Sequence, residues 1–320
     1  MRPTKEMEAR ALLEVLWCPT CRGSLIQRET GLSCGNCGAQ YPWRDGILSF
    51  LTASADPFLA RERLLFEEMK KPQHKFASLQ WQKSKEHFIQ VVLDRIGEVS
   101  GKVVLHVGCG VDSFIEHFNK SQLYFSADIV EEMLETTETK GAPNKIRIQC
   151  TVEALPFKLD CVDVVLCIDL IHHFYTRDIG KPLRELIRVL RRDGLLFLEE
   201  PNKYSLYRLP YSCLPLRLLS VLRDLRRHLM NGYGKPAEYE APLSLFKVRR
   251  LLRRISRELN KGELLTEVVA CREYPNLSKP LYDLYDLVGK LSTKVYKHLG
   301  FHWFLVCSLK PDTVATSVQT

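Results

Sequence analysis

The sequence predicts an α/β protein, a parallel sheet with helices on both faces, preceded by a small cysteine-rich module. Three observations predict it. Apolar, β-branched runs (VVLHV, LYFSADI, KIRIQC, CVDVVLCIDL, LLFLEEPN) recur between residues 103 and 202, separated by turn-like or helical stretches. Strands that read as continuous apolar runs are strands buried on both faces. The first run leads directly into a glycine turn, GCGVDS, and ahead of the sheet four cysteines stand at 18, 21, 34 and 37.

Composition bounds the rest. With 320 residues, 45% hydrophobic and 26% charged, the chain has room for one large domain or two smaller ones. No apolar run approaches the roughly 20 residues that span a bilayer, and the charged start MRPTKEMEARALLEVLW lacks a signal-peptide core. The expected location is cytoplasmic, with peripheral membrane association open. The net charge of +8 is uneven: residues 201–260 hold 13 Lys or Arg against 4 Asp or Glu. An anionic partner is therefore expected to meet that segment.

The cysteine spacing is C-x2-C-x12-C-x2-C. Each C-x2-C pair can turn two thiolates toward one ion, and twelve intervening residues suffice for a hairpin that brings the pairs together. Four soft thiolates select tetrahedral Zn²⁺, and with Cys18, Cys21, Cys34 and Cys37 all committed the zinc is structural. A segment this small cannot bury enough apolar surface to fold without it. A redox C-x-x-C is disfavoured because no βαβ pattern follows. The remaining seven of the eleven cysteines sit in apolar surroundings and read as buried free thiols. The module, with its tail YPWRDGILSFL, resembles the zinc ribbon ahead of some ribosomal-RNA guanine methyltransferases. It is also similar to free-standing zinc proteins that partner tRNA, rRNA and protein methyltransferases. The ribbon is assigned to residues 1–52 and a helical linker to 53–96. In the linker, Leu64, Leu65, Phe66 and Met69, then Phe88, Val91, Val92 and Ile96, mark the apolar stripes of two helices.

The glycine turn excludes as well as suggests. Gly108 and Gly110 are present, but Ser113 stands where a dinucleotide site needs its third glycine, and there is no G-x-x-x-x-G-K-[ST] for a phosphate-cradling loop. Phe114, Ile115 and Phe118 mark one face of a helix after it. The second strand ends in Asp128, placed to accept hydrogen bonds from both hydroxyls of a ribose. Ligands of such sheets sit beyond the strand C-termini, where Gly108, Gly110, Asp128, Glu153, Asp169 and Glu200 all fall.

HVGCG, ADI, EALPF, VDVVLCIDLIHHF and RVLRRDG follow one another at set intervals. In these the chain from about 100 to 200 resembles class I S-adenosylmethionine-dependent methyltransferases, close to the ubiquinone-biosynthesis type. The resemblance implies a Rossmann-like seven-stranded sheet over residues 97–310 with a basic helical insert at about 203–260. It also implies site roles: Gly108 and Gly110 against the methionine moiety, Asp128 on the ribose, Ile129 on the adenine, and Val152 and Glu153 at the adenine edge. Asp163 is expected to orient the chain rather than touch ligand. Two positions depart from the pattern. His106 replaces the turn's first acid, which anchors the cofactor's amino-acid end, and Thr151 replaces an acid before EALPF. Asp112 either takes over from the lost acid or caps the following helix.

Methyl transfer from a sulfonium needs mostly orientation and water exclusion. A base is needed only where the nucleophile must lose a proton; the candidates are Asp169, His172, His173 and Glu200, with satisfied helix-start histidines the plainer reading of the imidazoles. The helix KPLRELIRVLRRDG precedes the fifth strand. In the insert, LPLRLLSVLRDLRRHLM sets Leu218, Leu222, Leu225 and Leu229 apart from Arg217, Arg223, Arg226 and Arg227, and PLSLFKVRRLLRRISREL repeats the theme. Such helices lie on anionic lipid, contact nucleic-acid phosphates, bind an acidic partner, or form a lid over the site. GELLTEVVACREY, SKPLYDLYDLVGKLSTKVYKHLG and FHWFLVCSLK read as strand, helix and final antiparallel strand, and residues 311–320 as a disordered tail. The acceptor expected first is a small molecule or a lipid- or glycan-linked compound. An RNA acceptor is the alternative, disfavoured because DLIH stands where a base-amino-group site carries Asn-Pro-Pro-Tyr. A non-catalytic scaffold is the third reading, left open by His106 and Thr151.

Overall fold

The computed structural model describes residues 5–51, 60–61, 64, 79–112, 114–137, 144–174, 178–205, 242–269, 287, 297–300 and 302–309. Leu65, Phe66 and Met69, most of the basic insert including Arg217, Arg223, Arg226 and Arg227, most of the helix expected before the last strand, and the tail lie outside the described residues.

After helix α1 (Lys5–Val15), strands β1 (Leu25–Arg28) and β2 (Gly31–Cys34) form the antiparallel hairpin of the cysteine module. Strands β3 (Gln40–Arg44) and β4 (Ile47–Ser49) follow. Helix α2 (Leu79–Ile96) leads to β5 (Val103–Val107), β6 (Leu123–Asp128), the short helix α3 (Glu131–Thr136) and β7 (Lys145–Gln149). Then come β8 (Val162–Ile168), helix α4 (Gly180–Val189), β9 (Leu190–Pro201), helix α5 (Leu245–Glu258), β10 (Leu264–Val269) and β11 (His302–Leu309).

The strand order is β1-β2-β3-β4-β7-β6-β5-β8-β9-β11-β10. From β7 to β10 this is the expected seven-stranded arrangement, with β11 antiparallel to both neighbours. The order reverses at β5, between β6 and β8, and ligands of open α/β sheets bind beyond the strand ends at such a point. The apolar runs fold as strands because both faces are covered. On one face Phe88, Ile89, Val92 and Ile96 of α2 pack on Val104, Leu166, Phe197 and Phe304. On the other, Leu183, Leu186 and Ile187 of α4 and Val248, Leu252 and Ile255 of α5 join Leu105, Val165 and Leu198.

The cysteine module is continuous with this sheet. β4 pairs in parallel with β7, Leu48 beside Ile148, and Phe50 N–H donates to Gln149 O at 2.8 Å. At the other side Trp17 N–H donates to Pro156 O at 3.0 Å, and the Arg188 guanidinium lies 4.8 Å over the Trp17 ring. Ile47 and Leu48 are buried, each contributing about 1.5–3 kcal/mol of apolar burial. One core therefore runs from the ribbon into the sheet.

Four expectations are corrected. The helix after the glycine turn is a single 3₁₀ turn, Ile115–Phe118, because Phe114, Ile115 and Phe118 bury themselves in one step against Tyr124 and α2. IHHF likewise forms a single 3₁₀ turn, Ile171–Phe174. Helix α4 stops at Val189, so LRRDG belongs to the start of β9, where Cys161 N–H donates to Val189 O. Helix α5 is no lid over the strand ends: its apolar side, Leu245, Val248, Leu252 and Ile255, is buried in the core beside α4 and β10.

Candidate functional site

The four cysteines converge. Their sulfurs all lie within 4.8 Å of one another, with Cys18–Cys37 at 3.6 Å and Cys21–Cys34 at 3.4 Å. A tetrahedral zinc with bonds near 2.3 Å separates its sulfurs by about 3.8 Å. Second-sphere donors are in place: the N–H groups of Asn36 and Cys37 each reach Cys34 Sγ at 3.4 Å, and Tyr41 Oη is 2.9 Å from Cys18 Sγ. A Cβ on Gly23 would stand 3.2 Å from two of the sulfurs, so the knuckle demands glycine there. Without an ion the thiols compete for protons. A hydrogen bond from Asn36 draws Cys21 down to about 6, whereas Cys37 is pushed up to about 12: the Ala39 N–H opposes that rise, but Cys21 and burial outweigh it. The set fits structural zinc.

At the switch point, β5 ends in a turn that only glycine adopts easily, with φ +63° at Gly108 and +52° at Gly110. Around Gly110 a Cβ would meet nothing within 4 Å among the described residues; at Gly108 it would strike Leu170 at 2.6 Å. Asp128, at the end of β6, holds the turn. Its two oxygens accept from Gly110 N–H at 2.8 Å and Val130 N–H at 2.9 Å. Burial pushes the Asp128 carboxyl up despite these backbone donors. Each oxygen keeps acceptor capacity, since an ionised carboxylate takes about four hydrogen bonds. A glycine turn beside a two-oxygen acceptor fits a nucleoside cofactor. Ile129 borders this site partly buried, Glu153 follows on a 3₁₀ turn capped by Thr151, and Val152 is buried in the core.

The first departure, His106, forms a buried pair with Asp112, while Thr151 caps the 3₁₀ turn at Val152–Ala154. His106 is 4% exposed, and its Nδ1 stands 3.0 Å from Asp112 Oδ1. The same carboxylate accepts from Tyr124 Oη at 2.9 Å, Ser126 Oγ at 2.8 Å and Phe114 N–H at 2.9 Å. Burial would raise the Asp112 pKa, but His106 and these hydroxyls hold it below the usual carboxylate range. Asp112 therefore braces the turn from beneath. Asp163, as expected, orients the chain: it accepts from Val103 N–H and Arg191, both at 2.7 Å.

At the ends of β8 and β9 the four base candidates separate. Glu200 is fully buried and accepts from the N–H groups of Leu170, Ile171 and His172 at 3.1, 2.5 and 3.1 Å, and contacts His172 Nδ1 at 2.9 Å. Glu200 and His172 thus fasten the 3₁₀ turn to the sheet. The His173 ring lies 4.2 Å from that of His172, and its carbonyl accepts from Arg61. Asp169 is exposed, on left-handed backbone at φ +55°. Sequence reasoning missed its neighbours Glu199 and His302, which touch each other; their only signal was position at the ends of two strands. A cleft of about 1110 Å³ lies at the opposite edge of the sheet between Arg95, Arg253 and Arg257, away from all these groups.

Comparison with known proteins agrees with this geometry. The methyltransferase-domain family profile matches residues 105–198, and the Trm112p-like protein profile matches residues 10–46. The uncharacterized methyltransferase YcgJ of Bacillus subtilis (strain 168) is 35% identical over 100 residues, 30% of this chain. That match spans only 39% of the relative's length. Among solved structures, a chain of the complex between the Haloferax volcanii Trm112 methyltransferase activator and a methyltransferase superposes with a TM-score of 0.50 at 16% identity, covering 81% of this chain and all of that one. The YcgJ crystal structure gives a TM-score of 0.45 at 18% identity, covering 71% of this chain and all of that one. The chain thus carries a methyltransferase domain of the S-adenosylmethionine-dependent fold and a Trm112-like zinc ribbon on one sheet.

Proposed function

We propose that this chain, a methyltransferase domain with its zinc ribbon built into the same sheet, transfers a methyl group from S-adenosylmethionine to a small-molecule or lipid- or glycan-linked acceptor. The observation that carries the reading is the Gly110 N–H to Asp128 bond at 2.8 Å, in a turn where a Cβ would meet nothing among the described residues, at the point where the strand order reverses. When bound, the cofactor supplies a methyl group on positively charged sulfur, which a nucleophile takes with the thioether as leaving group.

The chain's own residues supply binding and orientation. Gly110 lets the main chain approach the ligand without side-chain interference, and Gly108 makes room for the Leu170 side chain behind the turn. Asp128 accepts from the ribose hydroxyls and rigidifies the turn through the backbone bonds it already makes. Ile129 and Glu153 flank the adenine, while Val152 contributes by packing behind it. Glu200 and His172 hold the 3₁₀ turn that forms the floor near Leu170, and Asp169 is the exposed carboxylate at the acceptor's side.

A second reading, an RNA acceptor, draws on one observation. Lys247, Arg250, Arg253, Arg254 and Arg257 line the exposed face of α5, whose apolar face is consumed by the core. Of its large apolar side chains only Phe246 stands exposed, too little apolar surface to hold a helix on lipid, and its cations suit phosphates. Calorimetric titration of the zinc-loaded chain with S-adenosylhomocysteine tests the shared premise. One molecule per chain supports it, and absence of heat with no thermal shift contradicts it.

A further inference from the structure

Helix α5 carries more charge than its packing uses. Lys247, Arg249, Arg250, Arg253, Arg254 and Arg257 stand against one acid of the helix, Glu258, which pairs with Arg184 and, at 3.6 Å, with Arg254. At about 100° per residue, Phe246, Arg250, Arg253 and Arg257 fall on one narrow stripe. It lies opposite the buried side chains Val248, Leu252 and Ile255. All four stripe residues are exposed, Phe246 at 73%. Among the described residues no acid pairs with Arg250, Arg253 or Arg257.

The stripe has a direction. Leu243, just ahead of α5, donates its N–H to Pro201 O at 3.0 Å, so Phe246 stands near the end of β9, the end of the sheet that carries the cofactor turn. From there α5 runs down to Arg257, which with Arg253, Arg95 and the start of β10 walls the cleft of about 1110 Å³. The arginines are also held in place. Arg249 Nε and Arg253 Nη2 both donate to Thr266 Oγ1 at 3.0 Å, and Arg257 Nε donates to Arg253 O at 3.3 Å. Guanidiniums fixed in advance lose less freedom on binding. Burial, and then the adjacent Arg253 charge, disfavour the Arg249 cation, so an anion arriving here relieves repulsion as well as adding attraction.

We propose that this stripe docks single-stranded nucleic acid, with backbone phosphates on Arg250, Arg253 and Arg257 and one base stacked on Phe246. The proposal goes beyond the RNA-acceptor reading, since the docked strand need not be the methylated molecule, and it rests on no cofactor chemistry. Steps of three and four residues set the guanidiniums about 4.5–6 Å apart along the helix axis, close to the spacing of neighbouring phosphates. Each guanidinium fork takes phosphate oxygens in pairs. A lipid surface needs an apolar face, and α5 spends its own on the core. An acidic peptide uses the cations but leaves Phe246 idle, and a duplex keeps its bases stacked away from it. Cations along a backbone beside an aromatic face for a base are what a single strand requires.

The test uses the zinc-loaded full chain and a short fluorescent oligouridylate, with binding followed by anisotropy across a salt series. Arg250→Gln and Arg257→Gln are each expected to flatten the slope of log K against log salt by about 0.7, the share of one phosphate contact on a single strand. Phe246→Ala is expected to weaken binding at least about fivefold, the loss of one stacked base. Arg10→Gln, an exposed cation on α1, binds as wild type does. Polyglutamate and phosphatidylserine vesicles are expected to compete weakly. All the substituted side chains are exposed, so thermal midpoints stay near the wild-type value and report folding; where one variant misfolds, the others decide. No binding by the wild type, an unchanged slope in the folded arginine variants, or polyglutamate or vesicles held as tightly as the oligonucleotide overturns the proposal. S-adenosylhomocysteine binding is measured on the same preparations. Its absence beside intact oligonucleotide binding leaves the docking stripe standing and defeats the methyltransferase reading instead.

Discussion

His106 Nδ1 lies 3.0 Å from Asp112 Oδ1, both side chains buried beneath the glycine turn. The residue that departs from the expected acid is therefore the counter-group of another acid six positions on. Replacing His106 with Asp to recover the family's pattern sets two carboxylates against each other in a buried site, at a cost of several kcal/mol. His106→Asp is expected to unfold at markedly lower denaturant, and the swapped pair His106→Asp/Asp112→His to regain part of the loss. Equal stability of the single variant and wild type contradicts the pairing.

Asp112 carries a pH signature. Its folded-state pKa lies below the unfolded value of 3.8, so the stability it contributes is present above that value and is lost as pH falls through the folded pKa. Asp112→Asn is expected to be less stable than wild type at neutral pH, with the gap closing only below about pH 4. Chemical denaturation across pH 2.5–7 measures it; a gap independent of pH argues against an ionised Asp112.

For Glu200 we propose an anchoring role, since its oxygens accept from three backbone N–H groups and contact His172. Glu200→Ala strands three N–H groups and an imidazole in a buried site, and a loss of about 3–5 kcal/mol is expected. A stable, folded Glu200→Ala with selectively reduced turnover restores it to catalysis.

Zinc reaches the methyltransferase sheet through β4. Removing the ion with a chelator, or substituting Cys21→Ser, is expected to lower the thermal midpoint of the whole chain and raise amide exchange at Ile146 and Ile148, the strand that β4 covers. Unchanged exchange in β7 shows the ribbon to be an independent appendage.

The strands were legible because strands buried on both faces leave apolar runs, and the turn residues Gly108, Gly110 and Asp128 mark their ends. The join of β4 to β7 was not, since Leu48 and Ile148 are 100 positions apart and three residues of strand carry no periodicity of their own. Glu199 and His302 escaped for the same reason: their contact depends on the register of β9 and β11, which no local pattern records. Asp112 was singled out correctly, but whether it faced ligand or core turned on Tyr124 and Ser126, and only packing decides that.

The central claim is that Asp128 receives the cofactor's ribose beside the glycine turn. Losing a charged acceptor of two hydroxyl hydrogen bonds costs about 1.5–3 kcal/mol per bond, so Asp128→Ala is expected to weaken S-adenosylmethionine binding by two orders of magnitude or more. Side-by-side calorimetry of wild type and Asp128→Ala measures this most directly. Binding by the wild type with collapse in the variant is the predicted result; equal affinities, or no binding by either, contradict the account.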